Sequence, residues 1–153
     1  MKIDEFLAMQ KKVRKKPLHK EDDLQMNCVR WFDLRFPQRA IRLHHSPNGG
    51  RRDAREAARF KKMGVRPGFP DLELNIPSRG WHGLYIELKT KNGRLSEYQK
   101  EYLAALKNDD YRCEVCRSLE DFQSVIYDYL FGIRHEAGTD IRKAMPRVDR
   151  KTP

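Results

Sequence analysis

Residues 71–89, DLELNIPSRGWHGLYIELK, hold two apolar–polar alternations separated by a turn rich in Pro and Gly. A period of two sends successive side chains to opposite faces of a β-strand. Leu72, Leu74 and Ile76 share one face of the first run, and Asp71, Glu73 and Asn75 share the other. In the second run Leu84, Ile86 and Leu88 oppose Tyr85, Glu87 and Lys89. With a loop at 77–82, the pair predicts a hairpin in which the start of one strand meets the end of the other. Cross-strand neighbours lie roughly 4.5–5.5 Å apart. The hairpin therefore brings Asp71 beside Glu87 and Lys89.

Two carboxylates that close repel unless a cation lies between them. Oxygen ligands with water completing the shell suit Mg²⁺ or Mn²⁺. Such an ion binds a phosphate oxygen and lowers the pKa of a bound water. Lys89 adds a mobile point charge able to hold the attacking water. Asp71, Glu87 and Lys89 thus make a minimal site for phosphodiester hydrolysis. The competing reading is a solvent-exposed strand face whose charges merely pair with each other.

The surrounding chain predicts an α/β fold with a mixed sheet of about four strands flanked by helices, in the order α-β-α-β-β-α-β-α. Residues 21–36 read as a helix with acids in the first turn, an apolar stripe of Leu24, Cys28, Trp31 and Phe32, and Pro37 beyond its end. Glu21 begins the face 21, 25, 28, 32, which places it at the edge of the site as an outer ligand or as a solvated N-terminal acid. Residues 40–45, AIRLHH, read as a strand with Ile41, Leu43 and His45 on one face. Asp53 and Glu56 have capping-box spacing for the next helix, and Gly64 suits its end. Ala54, Ala57 and Ala58 offer that helix a slim packing face. A helix over 95–108 carries Gln99 among inward-facing Leu95, Tyr102, Leu103 and Leu106. An inward amide needs partners, either within the site or as a structural hydrogen bond. YRCEVC (111–116) reads as a strand and 118–131 as the last helix.

The net charge is +10, and it is unevenly spread. Residues 1–20 carry seven Lys/Arg against two acids, residues 51–66 seven against two, and residues 132–153 six against three. The remainder is net acidic. Carboxylates inside a basic protein suit a metal-dependent nucleic-acid enzyme, although a simple binding protein is also basic. Arg55, Arg59 and Lys62 form one helical stripe, extended upstream by Arg51 and Arg52. With Arg66 and Arg94 they are the candidate phosphate grip. No stretch reaches the ~18–20 apolar residues of a membrane span. The N-terminus reaches KKVRKK without a signal peptide's apolar core, so a soluble cytoplasmic protein is expected. The three cysteines, Cys28, Cys113 and Cys116, are read as thiols in a reducing compartment. The CxxC at 113–116 falls on a strand, where residues three apart face opposite sides, and no second pair completes a zinc site.

Pro70-Asp71 followed by Glu87-Leu88-Lys89 resembles the PD-(D/E)xK nuclease superfamily. The wider set HHSPNGG, KMGVRPGFPDLEL and YIELKTKNGRLSEYQKEYLAAL resembles the stand-alone VRR-NUC nucleases of phages and bacteria, over roughly residues 21–130. The resemblance implies the restriction-endonuclease-like core. It implies Asp71 and Glu87 as metal carboxylates, the Leu88 carbonyl as a backbone ligand and Glu21 as the helical acid. It implies Lys89 as the catalytic lysine and Gln99 as the helical glutamine after it. It further implies Mg²⁺ or Mn²⁺, a homodimer, and branched DNA such as Holliday junctions. A larger eukaryotic nuclease ending in the same domain acts on flaps, which is the alternative substrate. Tyr102 lies at i+3 from Gln99, which departs from the QxxxY variant of RecB-like nucleases.

On this reading residues 1–20 are a basic arm, 21–131 the nuclease domain and 132–153 a basic tail. An HNH-type site around His44, His45 and Asn48 lacks the second histidine-bearing helix it needs. A catalytically inactive DNA-binding protein is the alternative from another class, and the intact Asp71, Glu87 and Lys89 set discriminates against it. Phe122, Ile126, Tyr129 and Leu130 of the last helix are the candidate dimer face.

Overall fold

A computed structural model describes residues 20–47 and 53–133. Its elements are α1 (Lys20–Arg35), a 3-10 helix (Pro37–Arg42), β1 (Leu43–His45), α2 (Ala54–Lys62), β2 (Leu72–Leu74), β3 (Leu84–Leu88), α3 (Glu97–Asn108), β4 (Arg112–Cys116) and α4 (Leu119–Phe131). The four strands form one mixed sheet in the order β1-β2-β3-β4. The first two pairings are antiparallel and the third is parallel. β2 and β3 are joined by a short connection, as antiparallel neighbours permit. Parallel neighbours need a crossover, and α3 is that crossover between β3 and β4.

The period-two pattern sorts the strands into two faces. On one face Leu72, Leu74, Leu84, Ile86, Leu88 and Cys116 are buried with Cys28 and Phe32 of α1 and Phe122, Ile126, Tyr127 and Tyr129 of α4. Trp31 lies edge-on to Phe36, Phe122 and Tyr127, tying the two helices together. The opposite face lies under α3. Phe69 packs edge-on to Tyr85 and Tyr102 there, and the Cys113 thiol lies against the Leu103 carbonyl. Cys113 and Cys116 are thus on opposite faces, both as free buried thiols. Burial pushes Cys28 and Cys116 up to about 12 and Cys113 to about 11.

Three expectations change. The segment 40–45 is a strand only at Leu43–His45, because Pro37 opens a 3-10 helix that runs to Arg42. Proline fits a first helical position, where its missing N–H costs nothing. Ile41 consequently points outward, 89% exposed. The alanines of α2 do not form a packing face: Ala54, Ala57 and Ala58 are exposed, and only Phe60 of that helix is half-buried. The candidate dimer face on α4 is buried inside the protomer, with Phe122 and Ile126 at 0% exposure and Tyr129 at 1%. Other boundaries fall close to expectation. Asp53 caps the Glu56 N–H of α2 (2.8 Å), and Gly64 follows its C-cap at φ +98°. Residues 1–19 and 134–153, which hold nearly all of the two basic end segments, lie outside the described residues.

Candidate active site

The observed register pairs Leu72 with Ile86 and Glu73 with Tyr85. Continued by one step, it sets Asp71 opposite Glu87. Asp71 itself sits in the bend after buried Pro70. Its Oδ2 accepts a hydrogen bond from the Leu88 N–H (2.7 Å), so the carboxylate caps the end of β3. The bend is held against α3. Gly68 adopts φ +83°, and a Cβ there would collide with the Tyr98 carbonyl and the Gln99 amide. Only glycine permits this backbone approach, which brings the start of α3 up to the carboxylates.

Glu87 is 1% exposed and is the single buried charged residue among those described. The exposed-face reading of this strand is therefore overturned, since α3 and the 68–70 bend cover it. Its Oε1 accepts from Lys89 Nζ (2.9 Å) and from Gln99 Nε2 (2.5 Å). Its Oε2 is buried without a hydrogen-bond partner. The Lys89 side chain is only 11% exposed. The other end of the Gln99 amide is also engaged. Its Oε1 accepts from the Ser96 N–H (2.9 Å) while the Ser96 hydroxyl accepts from the Gln99 N–H (3.2 Å). This reciprocal capping box starts α3 and fixes the glutamine's direction. From α1, Glu21 Oε1 accepts from the Thr90 N–H (3.2 Å), one residue past Lys89. His45 Nδ1 lies 2.6 Å from the Asp71 carbonyl oxygen.

Burial raises the proton affinity of both hairpin carboxyls. Asp71 is pushed up by burial and by the charge of Glu21, against the Leu88 N–H and Lys89. Glu87 is pushed up to about 7 by burial, with Asp71 and Glu21 adding and Lys89 opposing. Two hairpin carboxyls whose ionisation is opposed, one of them with an orphaned buried oxygen, are relieved together by a cation. Among the described residues no three His, Cys, Asp or Glu side chains form a ready cage, because each carboxylate is turned to a protein donor. A hard octahedral ion that keeps several waters and needs only one or two carboxylates fits this donor set better than a closed-cage metal such as structural zinc.

The basic candidates that the structure describes are all exposed. Arg55, Arg59 and Lys62 are exposed on α2, Arg66 on the loop after it, and Arg94 on the stretch before α3. Arg51 and Arg52 fall outside the described residues. The segment bearing α2 leaves the sheet after His45 and returns at Asp71, so its two feet meet at the His45–Asp71 contact. The His45–Asp71 contact, the capping role of Gln99 and the Arg117 contacts to residues 90–93 were not read from the sequence. The Ser96…Gln99 spacing is a capping-box signal that could have revealed the second of these. Arg117 carries no such signal, because its partners are backbone carbonyls.

The model of a family described as "VRR-NUC domain" matches residues 10–120. A solved structure titled "VRR_NUC domain protein" superposes with a TM-score of 0.63 at 34% identity, covering 71% of this chain and 86% of that one. No curated protein matches the chain. Among the described residues no helix is long and apolar enough to cross a membrane.

Proposed function

Because the chain belongs to the VRR-NUC family of nuclease domains, we propose that it is a Mg²⁺- or Mn²⁺-dependent endonuclease that hydrolyses phosphodiester bonds of branched DNA, such as Holliday junctions, as a homodimer in the cytoplasm of a bacterial or phage-infected cell. The observation that carries this reading is the buried Glu87, bound by Lys89 and Gln99 through one oxygen and left with an unpartnered oxygen beside Asp71. Asp71, Glu87 and Glu21, with the Leu88 carbonyl, would hold the cation. Bound there, the ion neutralises charge on the phosphate and makes a water more acidic.

The chain's own groups supply the rest. Gln99 holds one oxygen of Glu87 and leaves the other without a protein partner. Glu87 in turn holds the Lys89 ammonium, which is then placed to hold the attacking water or a phosphate oxygen. Burial of both groups keeps bulk water from screening the pair. Arg55, Arg59 and Lys62, with Arg51, Arg52, Arg66 and Arg94, would neutralise backbone phosphates. Such contacts give affinity and position, not base sequence. A homodimer presents two such sites related by a two-fold axis, which matches the symmetry of a four-way junction. Its interface lies away from the α4 core face.

The test is cleavage of a labelled four-way junction, a 5′ flap and a linear duplex, with Mg²⁺, Mn²⁺ or EDTA, beside Glu87→Ala and Lys89→Ala. Metal-dependent nicking of the junction, reduced about 10³-fold in each variant while DNA binding persists, is the expected result. Binding without cleavage in either metal would leave a DNA-binding protein. Cleavage of the flap alone would keep the chemistry and replace the substrate. Sedimentation of the free protein reads the dimer.

A further inference from the structure

The turn after β3 is held from outside by one side chain. Arg117, at the junction of β4 and α4, donates through Nη1 to the carbonyl oxygens of Thr90 (2.7 Å) and Gly93 (2.7 Å), with the Lys91 carbonyl at 3.4 Å. Its backbone N–H donates to Asp121 Oδ2 (2.9 Å), which fixes the arginine to the first turn of α4. The Gly93 N–H closes the turn on the Thr90 carbonyl (3.0 Å).

The order of peptide planes makes this contact consequential. The Lys89 N–H is bonded to the Cys116 carbonyl (3.0 Å), which fixes the plane between residues 88 and 89. Arg117 fixes the plane between 90 and 91 through the Thr90 carbonyl. The plane between 89 and 90 lies between these two, and its N–H is the donor that Glu21 accepts. Peptide units are rigid and joined by two soft dihedrals per residue, so holding both neighbours restricts the middle one. Lys89, whose Nζ meets Glu87, is the residue between the 88–89 and 89–90 planes.

We propose that Arg117 is a positioning residue for the metal site. It touches neither the carboxylates nor the scissile phosphate. It holds the 90–93 turn so that the Thr90 N–H aims Glu21 across the site toward Asp71 and Glu87. Arg117 suits this role because its Nη1 reaches the Thr90 and Gly93 carbonyls together, at the end of a side chain one atom longer than that of lysine. The inference rests on the metal-dependent reading above.

The experiment is Mn²⁺ binding to the DNA-free full-length protein by calorimetry, alongside DNA affinity in EDTA and thermal unfolding. Arg117→Ala weakens Mn²⁺ binding about 10-fold, as loss of an outer-shell partner does, with DNA affinity unchanged. Arg117→Lys falls between Arg117→Ala and wild type, which keeps the test valid if the alanine variant folds poorly. The double variant Glu21→Ala/Arg117→Ala binds Mn²⁺ no more weakly than Glu21→Ala, because both changes remove the same ligand. Arg79→Ala removes a comparable contact, from a guanidinium to the Asp128 carbonyl (2.8 Å) at the far end of the sheet, and leaves Mn²⁺ affinity intact. Unchanged Mn²⁺ affinity in Arg117→Ala overturns the inference, as do losses that multiply in the double variant, or a fall in DNA affinity instead. A wild-type protein that binds no Mn²⁺ overturns the metal-dependent reading and this inference with it.

Discussion

The two faces of the sheet are built from alternate residues of the same strands, yet they solve different problems. Under α1 and α4 the strands present Leu72, Leu84, Ile86 and Leu88 to aromatic rings, and shape alone decides the fit. Under α3 the same strands present Tyr85, Glu87 and, just beyond the strand end, Lys89, and every polar atom there needs a partner. The first face lowers free energy by removing apolar surface from water. The second accepts a buried carboxylate whose ionisation burial opposes. The proposed cation site is on the second kind of face, because its unsatisfied groups are the ones a ligand can satisfy.

The largest test of that contrast is Phe122→Ala, which opens a cavity on the apolar face. It should lower unfolding stability by about 3–5 kcal/mol, read by chemical denaturation, without changing the Mn²⁺ affinity of the folded fraction. A change in Mn²⁺ affinity would mean the two faces are coupled.

Next is the pH dependence of the metal-free protein. Glu87 has a folded pKa of about 7, above the 4.5 of the free side chain. Between those values the folded state holds a proton that the unfolded chain has lost. That stabilisation is complete below about pH 4.5 and disappears as pH rises through about 7. In EDTA, unfolding stability should therefore fall across this window by about 1–3 kcal/mol, and Glu87→Gln should flatten it. A wild-type profile that rises over the window would contradict a buried carboxyl at this position.

A smaller effect is expected from the triple variant Arg55→Ala/Arg59→Ala/Lys62→Ala. These side chains are exposed, so thermal stability should barely move. DNA affinity should fall, and the slope of log affinity against log salt should shrink by about 2–3. An unchanged slope would remove α2 from the DNA path.

The smallest effect is a null one that compares the faces directly. Thiolates, not thiols, react with alkylating agents, and burial holds all three cysteines up at about 11 to 12. Iodoacetamide at pH 8 should leave the folded protein unmodified by mass spectrometry. Early labelling of Cys113 with Cys116 protected would indicate that the α3 face opens more readily.

Much of this was legible because period and chemistry are local. The alternation in 71–89 set which residues face together, and the hairpin spacing placed Asp71 opposite Glu87. Acids at the start of α1 and the proline after its end marked that helix nearly to the residue. The failures were also physical. Residues 40–42 alternate like a strand, yet Pro37 starts a 3-10 turn, so Ile41 joins no sheet. Phe122, Ile126 and Tyr129 have the spacing of an interface stripe, but an apolar stripe does not announce whether it meets its own core or another copy. The alanines of α2 look like a packing face, and among the described residues no element covers them.

By itself, then, the sequence determined the α/β class, the hairpin, the grouping of Asp71, Glu87 and Lys89, and the family resemblance. These follow from residue type and spacing along one short stretch of chain. Only the tertiary structure decided that Glu87 is buried, that Gln99 caps α3 while holding that carboxylate, that Glu21 meets the Thr90 amide, and that Arg117 holds the turn between them. Those contacts join residues far apart in the chain, often through backbone atoms that every residue possesses. Their existence depends on which elements close against the sheet, and a linear pattern carries no record of that closure.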